Sequence, residues 1–541
     1  MRVRAWGAAL AVLVLASACT AEGGGGVFGG DRTLRVLAGS ELADMEEVLA
    51  ASAERTGVRL ELEYTGTLDG TERIAAAGDA GVASEGGEPF DAVWFPSNRY
   101  LHLVDQERSL VDAETSVMVS PVVFGVVESR AEELGWTDDD LVRGVTWGDV
   151  AEAVSEEGLT YGMSNPAASN SGFSALIGAA SAMADTGAAL EAGDVERVGP
   201  ELAEFFSGQE MTAGSSGWLM EEFARRQERG GAAVDGVVNY ESVLMSHAAS
   251  GEGRPLALVY PEDGVVTADY PLTLLAGASD EAAADYEEVV ADLLGAEAQS
   301  DIVERTFRRP VSAEVAAEDF PDLVELPFPA RREVVDDLVA AYFAELRRPS
   351  RTVYVLDVSG SMEGQRIGDL RTALVALTGA DEGSLSERAQ LFQDREEVTL
   401  LPFSTEPWEP STFVLEPGSS DGARADLAAE VAALEAGGET AAYDAVAEAF
   451  SLLAKGGGDD HLMSVVLMTD GEVNQGAGLD ELVGEMADLP SEVASVPVYP
   501  VLFGEGNGEE METLALVSGG RVFDARQMEL ERIFREIRGY Q

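Results

Sequence analysis

Apolar residues recur along the chain in two alternating blocks, and each block predicts strands separated by helices. In the first, residues 33–40 (TLRVLAGS), 58–64 (VRLELEY), 90–97 (FDAVWFPS) and 119–126 (VSPVVFGV) read as strands with helical patterns between them. Such alternation predicts βαβ units and a mostly parallel sheet. Residues 69–89, with Gly and acidic positions, read as including a surface loop. Residues 147–235 read as mainly helical with Gly breaks at 192–199 and 213–217, and 236–243 and 256–260 return to strand-like character. Residues 279–307 and 329–347 read as helices with acidic outer faces. The second ends in Leu346-Arg347-Arg348-Pro349-Ser350. Basic residues in a last turn followed by Pro stop a helix, which places a domain boundary there.

The second block predicts strands at 351–357, 397–403, 411–415, 462–469, 496–503 and 520–524. Its helices fall at 364–377, 421–436, 441–455, 479–488 and 527–538. Near-continuous apolar strands imply a sheet covered on both faces. The expected unit is a doubly wound, mostly parallel, Rossmann-like α/β domain of about 190 residues, an ordinary domain size.

Length and charge narrow the function classes. A chain of 541 residues exceeds one core, and two to four domains is the length expectation. Asp and Glu total 99 against 35 Lys and Arg, a net charge of −64, and Lys455 stands as the single lysine. This excludes nucleic-acid binding, which needs a basic surface, and electrostatic attraction to anionic lipid. It favours solubility and cation binding. The acidity is spread through both halves, as a salty habitat or a GC-rich genome would produce, so it says little about fold.

Residues 1–18 begin with Arg2 and Arg4, continue as AWGAALAVLVLA and end in small residues, the pattern of a secretory signal peptide. The apolar run is short for a membrane span. Leu15-Ala16-Ser17-Ala18-Cys19 resembles a bacterial lipobox, with Ala16 where a larger aliphatic residue is usual and Leu15 one place early. The resemblance implies cleavage before Cys19 and its lipidation, with an ordinary signal and an incidental cysteine as the alternative. Cys19 is the chain's one cysteine, so no intramolecular disulfide forms. Residues 19–31 are Gly-rich and read as a flexible tether. The expected location is the outer face of the cytoplasmic membrane, held through a lipid anchor.

The chemistry concentrates in the second block. The strand VYVLD runs into Val358-Ser359-Gly360-Ser361-Met362, the strand VVLMT ends in Asp470-Gly471, and Gly437-Gly438-Glu439-Thr440 opens a helix carrying Tyr443-Asp444. Ligands of open α/β sheets bind at the carboxyl ends of strands. A carboxylate and two hydroxyls spaced by two residues are hard oxygen donors, suited to Mg²⁺ or Mn²⁺ rather than zinc. DVSGS, Thr440 before AAYDA, and TDG, in this order, resemble the metal-ion-dependent adhesion site of von Willebrand factor A domains across residues 349–541. The resemblance implies that Asp357, Ser359 and Ser361 hold the metal directly or through water, with Thr440 and Asp470 joining. It also implies an open coordination position that a carboxylate of a protein partner or ligand fills. Glu439 departs from the pattern, where Gly usually leads straight to Thr, and would alter the loop or add a carboxylate. Asp444 reads as a helix-surface carboxylate.

Residues 32–348 resemble two-lobed, type II periplasmic (extracellular) solute-binding proteins through LRVLAGSEL, FDAVWFPSNRYL, VSPVVFGVV, VTWGDV, YGMSNPAASNSGFSAL, VVNYESV and VYPEDGVVTADYPL. The resemblance implies a first lobe, a crossover near 120–126, a second lobe and a return near 236–260, with ligand trapped as the lobes close. Loops at strand ends supply the candidate shell for a small polar solute: Ser40 and Glu41; Ser97 and Asn98; Ser120; Asn170 and Ser171, with Gly172, at a helix start; Asn239, Tyr240 and Glu241; and Tyr260. A helix N-terminus receives an anionic group, whereas Glu41 and Glu241 facing the cleft would favour a cationic or neutral solute. Helix capping is the competing role for each Ser and Asn.

Three functions compete. The first is an exported, lipid-anchored binding protein that couples a solute-binding-like module to cation-dependent recognition. The second is the solute-binding component of an ABC transporter. An enzyme is the weakest, since no nucleophile–base pair or phosphate-cradling loop occurs: GEGNGE at 504–509 lacks a GK[ST] ending and reads as a loop. His102, His247 and His461 are scattered without a catalytic context.

Overall fold

The strand Arg32–Gly39 sends alternate side chains to opposite faces. Leu34, Val36 and Ala38 enter one core and Leu37 another. A strand with both faces covered must be apolar on both, as Val36-Leu37-Ala38 is here. The computed structural model describes residues 32–540 apart from 79–80, 83, 85–86, 107–108, 137–140, 142–143, 230–232, 252, 316–319, 380–382, 457–460, 505, 507 and 529. The expected signal peptide, Cys19 and the expected tether lie outside the described residues.

Three sheets follow one another. The first lobe holds five strands in the order Val58–Thr65, Arg32–Gly39, Ala92–Trp94, Pro271–Leu275, Val111–Ser116. The second lobe is organised on the long strand Met118–Val127, which pairs antiparallel with Gly236–Tyr240, Leu256–Val259, Thr267–Ala268 and Arg309–Pro310. Tyr161–Ser164 and Gln209–Ala213 extend that sheet in parallel. The lobes are joined where Ser116 passes to Met118 and where Ala268 passes to Pro271. These crossings are stitched together: the Ser116 hydroxyl donates to Asp269 (3.1 Å), and the Val117 N–H to the Tyr270 carbonyl (3.4 Å). Tyr270 takes a left-handed φ of 39° there.

Local expectations fail where packing overrides pattern. The third strand shrinks to Ala92–Trp94. The surface loop expected within 69–89 begins after 77, since residues 69–77 belong to the helix Thr67–Ala77. The stretch read as mainly helical contains the strands Tyr161–Ser164 and Gln209–Ala213. The break expected at 192–199 lies inside the helix Ala192–Ser207, which carries Pro200. Val198, Leu202, Phe205 and Phe206 are buried along it, and this anchoring outweighs local propensity. Gly295 divides the 279–307 helix into Asp280–Leu293 and Ala296–Thr306. The chain returns to the first lobe at 267–271 rather than at 236–260. Of the GEGNGE segment read as a loop, only Gly508 and Glu509 lie in a helix, Gly508–Ser518.

The third sheet has six strands in the order Ser411–Val414, Glu397–Phe403, Ser350–Asp357, Leu462–Thr469, Val498–Leu502, Phe523–Asp524, all parallel except the first. Its central strand again feeds two cores, Tyr354 and Leu356 on one face and Val353 and Val355 on the other. The core under Tyr354 does not stop at this sheet. It continues through Ile533, Ile537 and Tyr540 into Met211, Leu219, Phe223 and Val237 of the second lobe. The C-terminal domain is thereby fused to that lobe by apolar packing.

Polar groups also tie the domain to the first lobe. The Glu72 carboxylate accepts from the Leu385 and Ser386 N–H groups (2.8 and 3.1 Å) at the start of the helix Leu385–Gln390, and Arg535 pairs with Asp69 at 2.8 Å. Beneath the junction, buried Glu396 accepts from Arg347 (2.6 Å) and Arg538 (2.9 Å). Burial alone would raise the Glu396 carboxyl, but the two guanidinium groups hold it below the ordinary carboxylate range. Among the described residues, no helix is long and apolar enough to cross a membrane.

Candidate functional site

Asp357 ends the central strand of the third sheet and Asp470 follows the neighbouring strand, at the point where the strand order reverses. Both are fully buried. Asp357 accepts from the Ser359 N–H (2.8 Å) and the Thr469 hydroxyl (2.7 Å). The Ser359 and Ser361 hydroxyls lie 3.0 Å apart. Gly360 N–H donates to the Gly438 carbonyl (2.9 Å), which ties the serine turn to the Thr440 loop. Gly438 has a φ of 96°, which a side chain would strain. Buried Thr440 is held through its N–H, which donates to the Asn474 side chain (2.9 Å). The chain thus gathers Asp357, Ser359, Ser361, Thr440 and Asp470 on adjoining loops at one end of the sheet.

Two buried acidic side chains at one point demand compensation by positive charge or by protons. Burial pushes the Asp357 carboxyl above the usual range, and nearby Asp470 adds in the same direction. Arg366 answers part of this demand, donating to Asp470 Oδ2 (2.6 Å) and to the Ser361 carbonyl (3.0 Å). Two carboxylates and three hydroxyls are a hard-oxygen set that fits Mg²⁺ or Mn²⁺. Among the described residues, no group of three or more His, Cys, Asp or Glu forms a metal cluster. Glu439 is exposed, its N–H donating to the Thr405 hydroxyl (3.1 Å). Asp444, expected on a helix surface, accepts from the Ala477 N–H (2.9 Å) and pins the loop after Asp470.

A second polar assembly lies between the lobes. The helix Asn170–Ala184 starts against the strand Tyr161–Ser164 so closely that a Cβ on Gly172 would meet the Ser164 carbonyl at 1.9 Å. The Ser171 hydroxyl is 2.7 Å from that of Ser164 and 3.1 Å from that of Ser216, and Ser216 reaches the Glu41 carboxylate of the first lobe at 3.4 Å. Asn170 donates to the Tyr240 hydroxyl (3.0 Å), and Asn239 to the Ser216 carbonyl (3.0 Å). Buried Arg308 grips Asp44 through Nη1 (2.7 and 2.8 Å), donates to the Glu41 carbonyl (2.9 Å) and lies over the Tyr270 ring. Burial raises the Glu41 carboxyl, with Arg308 pulling the other way. Glu41, Asn170, Ser171, Asn239 and Tyr240 therefore converge on one seam.

The model of a bacterial extracellular solute-binding protein family matches residues 34–305, half of the chain. The chain belongs to that family. A von Willebrand factor type A domain model matches residues 352–472 of this solute-binding protein, so a solute-binding-like module is fused to a second binding module. No curated protein matches the chain. Similar solved structures include the periplasmic binding protein AfuA from Actinobacillus pleuropneumoniae with fructose-6-phosphate bound. It is 13% identical with a TM-score of 0.43, over 59% of this chain and 99% of that one. Iron-bound HitA from Pseudomonas aeruginosa is 13% identical with a TM-score of 0.41, over 56% and 95%. A ferric binding protein from Campylobacter jejuni is 12% identical with a TM-score of 0.43, over 57% and 98%.

Five expected shell residues of this solute-binding protein have other partners. Glu241 is fully buried in a two-point pair with Arg309 (2.7 and 2.8 Å) and accepts from the Tyr260 hydroxyl (2.8 Å), so both side chains are engaged by each other and by Arg309. Ser120, fully buried, accepts from the Ser242 N–H (3.1 Å). Ser97 accepts from the Arg99 N–H (3.3 Å), and Asn98 donates to Thr273 (2.7 Å) within the first lobe. Ser40 is exposed at the rim of the cleft. Arg308, Tyr270, Ser216 and Arg366 were missed. The Arg308-Arg309 pair in a base-poor chain was a usable signal for the first, while nothing in the neighbourhood of Ser216 distinguishes it from a cap.

Proposed function

We propose that this protein is exported and serves as the solute-binding component of an ABC-type transporter, trapping a small polar solute between its two lobes. The observation that carries this reading is the inter-lobe seam, where Glu41 of the first lobe meets Ser216, Ser171, Asn170 and Tyr240 of the second. Short crossings at 116–118 and 268–271, with a further passage ahead of the strand Arg309–Pro310, join the lobes and allow a hinge. Serine, asparagine and tyrosine groups with the start of the helix Asn170–Ala184 orient a solute, and lobe closure excludes water from it.

The full chain screened against polar solutes should show a ligand that raises the melting temperature and compacts the molecule in small-angle scattering. A ligand at 100 times its dissociation constant stabilises by about 2.7 kcal/mol. Absence of any stabilising solute, or stabilisation without compaction, would overturn the reading.

The buried Asp357–Asp470 pair favours an added role for the C-terminal domain. Asp357, Ser359, Ser361, Thr440 and Asp470 would hold Mg²⁺ or Mn²⁺, which when bound offers an open position to a carboxylate of a protein partner or ligand. Cys19 would carry the lipid that retains the protein at the membrane. The variant Cys19→Ala should then appear in the culture medium or remain unprocessed, and unchanged membrane retention would refute the anchor.

A further inference from the structure

The two lobes and the C-terminal domain enclose a cavity of about 450 Å³ at their common junction, a size that suits a small organic ligand. Its floor is the mouth of the cleft: Ser40 and Gly66 come from the first lobe, Ala168 and Ser215 from the second. The lobes touch here, since a Cβ on Gly66 would meet the Ala168 carbonyl at 2.6 Å. Its roof is the helix Leu530–Arg538 with Gly539 and Tyr540. That roof is closely seated, because a Cβ on Gly539 would meet Gly214 Cα at 2.9 Å, and the Tyr540 ring lies 4.4 Å from that of Trp218.

The lining reverses the sign of the molecule. Five arginines face it (Arg73, Arg521, Arg532, Arg535 and Arg538) against three carboxylates (Glu63, Asp69 and Glu536), in a chain where acidic residues outnumber basic ones 99 to 35. Four of the five arginines come from the C-terminal domain. Arg538 is committed to Glu396. Arg521 and Arg532 approach Glu536 at 3.4 and 3.8 Å, Arg521 also reaches the Tyr540 hydroxyl (3.3 Å), and Arg73 approaches Glu63 at 3.7 Å. Arg535 pairs with Asp69 while its Nε has no hydrogen-bond partner. Guanidinium groups present planar pairs of donors that match oxyanions, and a walled cavity strengthens their field.

We propose that this cavity takes a small organic oxyanion, a phosphate ester or a polycarboxylate, and that the C-terminal domain supplies the cations that hold it. This rests on the solute-binding reading and adds that the two lobes alone form an incomplete site. The test titrates the full chain calorimetrically with glycerol 3-phosphate, inorganic phosphate and citrate. At least one should bind, and the substitutions Arg532→Gln and Arg535→Gln should each weaken it roughly 10- to 100-fold. The distant Arg254→Gln should leave it unchanged. Arg532 pairs with Glu536 on its own helix, and the unliganded melting temperature of each variant separates a loss of ligand binding from a loss of domain docking. Preference for glycerol 3-phosphate over citrate identifies the ester arm, and the reverse the carboxylate arm. Failure of all three anions to bind, or equal binding to wild type and both variants, overturns the proposal. If a neutral or cationic solute then binds and closes the lobes, the solute-binding reading survives; if no solute does, both fall.

Discussion

Replacing Asp357 by Ala should reduce Mg²⁺ affinity, measured by titration calorimetry, by more than about 100-fold, since even a residue that only supports a metal ligand typically costs 10–100-fold. The protein should remain folded. The substitution leaves the Ser359 N–H and Thr469 hydroxyl without their acceptor, at a cost of about 1–3 kcal/mol. Against this, it removes a buried charge that Asp470 opposes. Equal Mg²⁺ affinity in wild type and variant would show that these loops do not hold the ion.

The second large effect concerns the junction. Glu396→Ala should destabilise the protein by about 3–5 kcal/mol in denaturant titrations at neutral pH, the usual range for breaking a buried ion pair. Two buried guanidinium groups, those of Arg347 and Arg538, would lose the carboxylate they share. The sign of the pH dependence follows from the depressed carboxyl. The folded protein holds the Glu396 proton less tightly than the unfolded chain does. The stabilisation is therefore complete above the unfolded carboxylate range, about pH 4.3, and is lost as pH falls through the lower folded value. Glu396→Gln should lack this acid-side loss. A change below about 0.5 kcal/mol in the alanine variant, the level of an ordinary surface substitution, would contradict the structural role.

The C-terminal domain was the more legible part because its information is local. The strand VYVLD is apolar up to its terminal Asp357, both of its faces being covered, and its turn residues follow immediately. The short strands Tyr161–Ser164 and Gln209–Ala213 were hidden because four or five buried residues carry no period that separates a strand from a helix. At the inter-lobe seam, Asn170 and Tyr240 were visible as polar groups at element ends. Glu241 and Tyr260 had the same appearance, and only the arrival of Arg309 from a distant stretch removed them. Arg366 escaped notice because its partner Asp470 lies 104 residues away along the chain. Pairings between remote residues leave no spacing to read.

The shared apolar packing of the C-terminal domain onto the second lobe ties their stabilities together. Cutting the chain between them would bare a greasy face on each portion, and exposed faces of that kind promote aggregation.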